Sequence, residues 1–97
     1  MDIIDDFLKL VSDFFGLGHG QLRCGRDKNA VTARHYSWFY LHDYLNTPTS
    51  KLAAYFQISR RGIFKGVAQL RWLTAHHKAY IDLHKAFCAA FQEKSGR

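Results

Sequence analysis

Histidine and cysteine are the residues here whose chemistry is easiest to imagine, and three of them, His77, His84 and Cys88, cluster late in the chain. On a helix, His84 and Cys88 would be one turn apart and His77 two turns earlier, a spacing that presents ligands on one face. A structural zinc takes four ligands, however, and neither a CxxC nor an HExxH pattern occurs. Cys88 sits in the apolar run AFCAAF, where cysteine behaves as a small hydrophobe. No metal is expected. Nucleophilic catalysis needs a serine or cysteine with a base and an orienting acid. The acids beyond residue 15 are Asp27, Asp43, Asp82 and Glu93, too scattered to complete such a set. The chain is therefore not expected to be an enzyme, nor to take a cofactor or a small-molecule substrate. GLGHGQL lacks the preceding strand and the Lys-Ser/Thr of a phosphate-binding loop and reads as a plain loop.

The cations offer more. In PTSKLAAYFQISRRGIFKGVAQLRWL, residues 48–73, a short helical pattern (Leu52, Ala53, Phe56) is interrupted at Gln57-Ile58. It is followed by a longer one (Ile63, Phe64, Val67, Leu70) opened by Ser59, which can cap it by accepting from a free amide. That is the outline of a helix-turn-helix, with Ala53 and Ala54 small enough for the second helix to cross closely. Arg60, Arg61 and Lys65 then fall in the first two turns of the second helix, the part that enters a major groove in this motif. Arg23, Arg26 and Lys28 form a basic segment upstream, and Arg34 lies one or two turns into the following helix. From there it can act with the segment on phosphates or a minor groove.

The whole chain agrees in charge. Its formal charge is +6, but residues 1–15 carry four acids and one base, whereas residues 16–97 carry thirteen bases against four acids. Such a field favours a polyanion, of which nucleic acid is the commonest in the cytoplasm. With 97 residues, 47% hydrophobic and 15% aromatic, one domain with a small core is expected, spanning 1–97. No apolar run reaches the ~20 residues that cross a membrane, and the acidic opening MDIIDDFLKL is unlike a signal peptide. Two cysteines make no disulfide framework, so reduced thiols and a cytoplasmic location are expected.

The elements that would position these residues are all helical. Ile3, Ile4, Phe7, Leu8, Val11, Phe14 and Phe15 form an i, i+3, i+4, i+7 stripe, with Asp2, Asp5 and Asp6 at the favourable end of the helix dipole. Lys28 to Leu45 is a second helix with Tyr36, Trp38, Phe39, Tyr40 and Tyr44. No single face hides all five, so some aromatic surface is expected to be partly exposed while most is core, and a leftover patch of Trp38 or Phe39 would point to a protein partner. Asn46 ends that helix, Thr47 is the expected N-cap of the next and Pro48 its first residue. The last helix is expected from about Lys78 to Gln92, with Ala79, Ile81, Leu83, Ala86, Phe87, Ala90 and Phe91 apolar, before a frayed tail EKSGR. The sum is an all-α bundle of about five helices containing a helix-turn-helix.

From end to end, about residues 2 to 92, the chain resembles the C-terminal DNA-binding domain (domain IV) of the bacterial replication initiator DnaA, of the Trp-repressor-like helix-turn-helix group. IIDDFLKLVSDFFGL is similar to that domain's opening helix, LRCGRDKNAVTARHYSWFYLHDYL to its basic loop and A-R-[HQ] helix, and PTSKLAAYFQISRRGIFKGVAQL to its helix-turn-helix. The resemblance implies double-stranded DNA as partner, a minor-groove arginine at Arg34, and phosphate contacts from Arg23, Arg26 and Lys28. It departs in the recognition helix, where the family's G-R-D-H-[ST]-T-V is replaced by I-S-R-R-G-I-F. No Walker motif occurs, so an ATP-driven initiator is not expected. The leading expectation is a stand-alone duplex-binding module regulating transcription or replication, its DNA contacts Arg23, Arg26, Lys28, Arg34, Ser59, Arg60, Arg61 and Lys65. The alternative is a protein-interaction module that keeps the fold without reading DNA, for example one that recruits a replication ATPase.

Overall fold

The apolar stripe near the start of the chain winds into α1 (Ile3–Phe15) and buries Ile4, Phe7, Leu8 and Val11. The computed structural model describes residues 3–95, so Asp2, Gly96 and Arg97 lie outside the described residues, as does the side chain of Ile3. Five further helices follow: α2 (His19–Cys24), α3 (Lys28–Asp43), α4 (Thr49–Phe56), α5 (Arg60–His76) and α6 (Lys78–Ser95). Among the described residues there is no strand, and no helix is long and apolar enough to cross a membrane. The architecture is a small all-α bundle, 33 × 31 × 26 Å.

The bundle is organised round α3, which packs against α1, α2 and α5. Asp27 starts it by accepting from Ala30 N at 3.3 Å. Its rings also reach α6, where Phe87 meets Tyr36 at 5.2 Å and Tyr40 at 5.4 Å, both edge to face. A helix covered on several sides is apolar round most of its circumference. Most of the five aromatics are core as expected; Trp38 and Phe39 leave no patch, and the one left half exposed is Tyr44, at the end of α3.

Three boundaries and one burial also differ from expectation. GLGHGQL is not a plain loop, because its second half is α2. Leu22 is fully buried there, and the Gln21 side chain accepts from Gly18 N at 3.3 Å, one half of a capping box. The described residues thus form six helices, against about five expected, in the all-α bundle expected. Thr47 is not the cap of α4: its amide bonds to Leu41 O at 2.9 Å, and Pro48 takes the cap position with Thr49 as the first helical residue. On the second helix of the pair, Phe64 is 53% exposed rather than core, the buried side being Ile63, Gly66, Val67 and Leu70. Finally, α6 continues through Ser95, so residues 93–95 of the expected tail are helical.

Candidate nucleic-acid interface

The connection from α4 to α5 is three residues long. Gln57 closes α4 in the left-handed conformation (φ 57°), its amide and that of Ile58 both returning to Ala53 O. Ser59 then opens α5 as expected, its hydroxyl accepting from Gly62 N at 3.1 Å. Of the two small residues on α4, Ala53 packs against the core and Ala54 faces solvent. Phe56 is half-buried with its ring edge-on to Trp38 at 5.6 Å, and Ile63 is fully buried, so the pair is seated on α3.

Close packing behind α5 depends on Gly66. A Cβ there would come within 2.6 Å of Trp38 Cε3 and 3.3 Å of His35 Cδ2, so α5 lies against α3 with no room for a side chain. With that side buried, the other faces outward. Arg60, Arg61 and Lys65 are all exposed, and none of them forms an ion pair among the described residues. The helix contains no acid at all. Its fourth cation, Arg71, is held elsewhere: Nε and Nη2 each donate to Asp43 at 2.8 Å. The Arg71 bond, helped by His42, keeps the Asp43 carboxyl below the usual carboxylate value, although partial burial pushes the other way.

The upstream cations divide into two kinds. Arg26 and Lys28 are exposed at the corner between α2 and α3. Arg23 and Arg34 are tied into the structure. Arg23 donates from Nη2 to Tyr55 O at 2.9 Å and stacks its guanidinium 4.8 Å from the centre of the same ring, while the Tyr55 hydroxyl donates to Asp5. Arg34 donates from Nε to Leu22 O at 3.0 Å and from Nη2 to Gly25 O. Instead of an open arm, Arg34 is a staple that holds the end of α2 on α3. Through these two arginines, α2 is joined to α3 on one side and to the end of α4 on the other. This brings the corner carrying Arg26 into the same rigid unit as the α4–α5 turn.

The histidine and cysteine set is differently placed. His84 lies between two hydroxyls, Tyr36 Oη 2.7 Å from Nδ1 and Tyr44 Oη 3.0 Å from Nε2, with Cys88 Sγ 3.8 Å away. Burial lowers the His84 pKa, raises those of Tyr36 and the Cys88 thiol, and pushes Tyr40 up to about 12. All four are therefore neutral near neutrality, and the cluster ties α6 to α3. His77 is apart from it, at the α5–α6 corner, with its ring edge-on to Tyr80 at 5.3 Å. Among the described residues no three His, Cys, Asp or Glu side chains gather to hold a metal ion.

One residue of this surface went unassigned in the sequence reading. Trp72 is 59% exposed and stacks on His76, ring centroids 4.7 Å apart and 20° from parallel. The signal was its spacing, seven residues after Lys65 and eleven after Arg61, which puts all three on one stripe of α5. In comparisons with protein-family models, curated proteins and solved structures, no match to the chain was found.

Proposed function

We propose that the chain binds double-stranded DNA, with α4, the Gln57–Ser59 turn and α5 acting as a helix-turn-helix, and that it regulates transcription or replication. The observation that carries the reading is the outward side of α5. Its first two turns hold Arg60, Arg61 and Lys65 exposed and without acidic partners among the described residues, on a capped helix stiffly backed by α3. Arginines so placed can donate two hydrogen bonds to the O6 and N7 of a guanine. Arg26 and Lys28 at the α2–α3 corner are suited to phosphates, while Arg23 and Arg34 serve by holding that corner in place. The resemblance to DnaA domain IV supports the same docking mode, with a different target sequence because the recognition helix differs.

The test is site selection from a random duplex pool, followed by titrations at several salt concentrations. Arg60→Ala with Arg61→Ala should cost the selected site about 1 to 3 kcal/mol per lost base contact beyond the loss on random DNA. Arg26→Ala should weaken binding to all sequences and flatten the salt dependence by about one unit. Wild-type protein that binds no duplex even at low salt would remove the reading. A protein-interaction role would then take its place, with exposed Phe64 as its anchor and recruitment of a replication ATPase as one form of it.

A further inference from the structure

Trp72 belongs to the DNA-facing stripe of α5 by register but not by chemistry, since the base-reading positions of the first two turns are cationic. It lies eleven residues beyond Arg61, about 16 Å further along the axis. That is past the turns that would occupy a major groove. Its ring is both exposed and held: His76 stacks on it, and His76 Nδ1 lies 3.0 Å from Trp72 O. Leaving an indole 59% in water has a hydrophobic cost, and fixing it there with a second ring makes a flat platform rather than a mobile side chain.

The neighbourhood of the ring indicates what would sit on it. Within one turn of Trp72 on the exposed side are Ala68, Gln69, Ala75 and His76, with Lys65 on the same stripe nearer the cationic end. Phe64 and Ala68 continue this side toward the cationic end, but the apolar stripe is one residue wide and flanked by Lys65, Gln69 and His76, unlike the broad patch that marks a protein-docking surface. An aromatic plane braced by His76, two turns along the same stripe from Lys65 and three from Arg61 on a helix with no acid, fits an unpaired nucleobase whose backbone phosphates run toward those cations. We propose that Trp72, backed by His76, is a stacking platform for an unpaired base, so that the protein binds single-stranded as well as duplex nucleic acid. The proposal rests on α5 being the nucleic-acid-facing helix, and it adds an activity that the duplex reading does not contain.

The two tryptophans make the test direct. Trp38 is 2% exposed and Trp72 is 59% exposed, so a change in emission on stacking reports Trp72 alone. The probe is a short oligothymidylate, which has little structure of its own, end-labelled so that anisotropy also reads binding by variants lacking Trp72, with a labelled duplex of equal length titrated in parallel. Wild type should bind oligothymidylate with quenching. Trp72→Ala should weaken that binding between about fivefold and about a hundredfold, the range for losing one stacked base, while leaving duplex affinity unchanged. Trp72→Phe should restore most of it. Phe64→Ala, which removes an exposed ring from the same helix, should have no effect. The proposal is overturned if wild type binds duplex but not oligothymidylate, or if Trp72→Ala binds it as tightly as wild type. It is also overturned if Phe64→Ala loses as much, which would mean general apolar adhesion. Failure to bind either nucleic acid would remove both this and the duplex reading.

Discussion

Two phenylalanines eight residues apart look alike in sequence and differ in the bundle. Phe56 packs its ring edge on Trp38, whereas Phe64 is 53% exposed with His42 at 6.3 Å. Phe56→Ala should cost about 2 to 3 kcal/mol, at or below the low end of the 3 to 5 kcal/mol of a fully buried phenylalanine because the ring is only partly buried. Phe64→Ser should change stability by no more than about 0.5 kcal/mol. Denaturant midpoints at unchanged slope would measure both. Equal losses would mean that the register of α5 is not the one described. Phe64 falls in the apolar pattern of the sequence because periodicity counts side chains, but the residue that faces α3 in its stead is Gly66, which has none. The cap at Ser59 was legible, since capping needs only a hydroxyl at the right position. The ties of Arg23 and Arg34 were not, because their acceptors are backbone carbonyls, which leave no pattern in residue types.

The helices themselves were mostly legible, and the exceptions have physical reasons. α2 was hidden because three glycines crowd its approach, while its formation depends on one buried leucine and a glutamine cap. Most α3 aromatics are core as expected, and which one is left exposed, Tyr44 rather than Trp38 or Phe39, was not legible because a helix enclosed by neighbours obeys no single-face rule. Glycines on two of these helices should answer oppositely to the same substitution. Alanine in place of glycine favours a helix by about 1 kcal/mol. At Gly20, in α2, an added Cβ meets nothing within 4 Å, so Gly20→Ala should be stabilising. At Gly66 it meets Trp38 at 2.6 Å, and that ring is enclosed by Phe56 and α5 itself. Overpacking of about 1 to 3 kcal/mol should outweigh the helix gain, so Gly66→Ala should lower the melting temperature. A raised melting temperature for Gly66→Ala would show that α3 and α5 are less closely apposed. The turn between α4 and α5 offers a third case. Gln57 holds a left-handed conformation that costs a non-glycine residue about 1 to 2 kcal/mol. Gln57→Gly should recover up to about 1 kcal/mol of that, the rest being offset by the freer unfolded chain.

At the scale of the whole molecule, the acid side of the stability profile is set by how α6 is fastened. The cluster at that junction has His84 between Tyr36 and Tyr44, with Tyr40 and Cys88 alongside, and each of these neighbours is neutral near neutrality. Burial lowers the His84 pKa below its ordinary 6.5, and His35, on α3 against Gly66 of α5, is lowered by burial and by Arg34. For a histidine depressed in the fold, the unfolded chain takes up the proton first as the pH falls. The stability these sites contribute is thus complete above about pH 6.5, drains away as the pH drops toward the lower folded values, and is level below them. A second loss should begin only below about pH 3.8, where Asp43, depressed chiefly by Arg71, regains its proton in the unfolded chain first. Denaturant melts across this range should therefore show a first step under mildly acidic conditions, before any carboxylate step. His84→Gln keeps a hydrogen-bonding side chain between the two tyrosines without a titrating ring, and should remove the His84 share of that first step while leaving the second intact. A wild-type profile that stays flat from neutrality down to about pH 5 would mean that His84 is as hydrated in the fold as in the unfolded chain, and that α6 is not fastened through it.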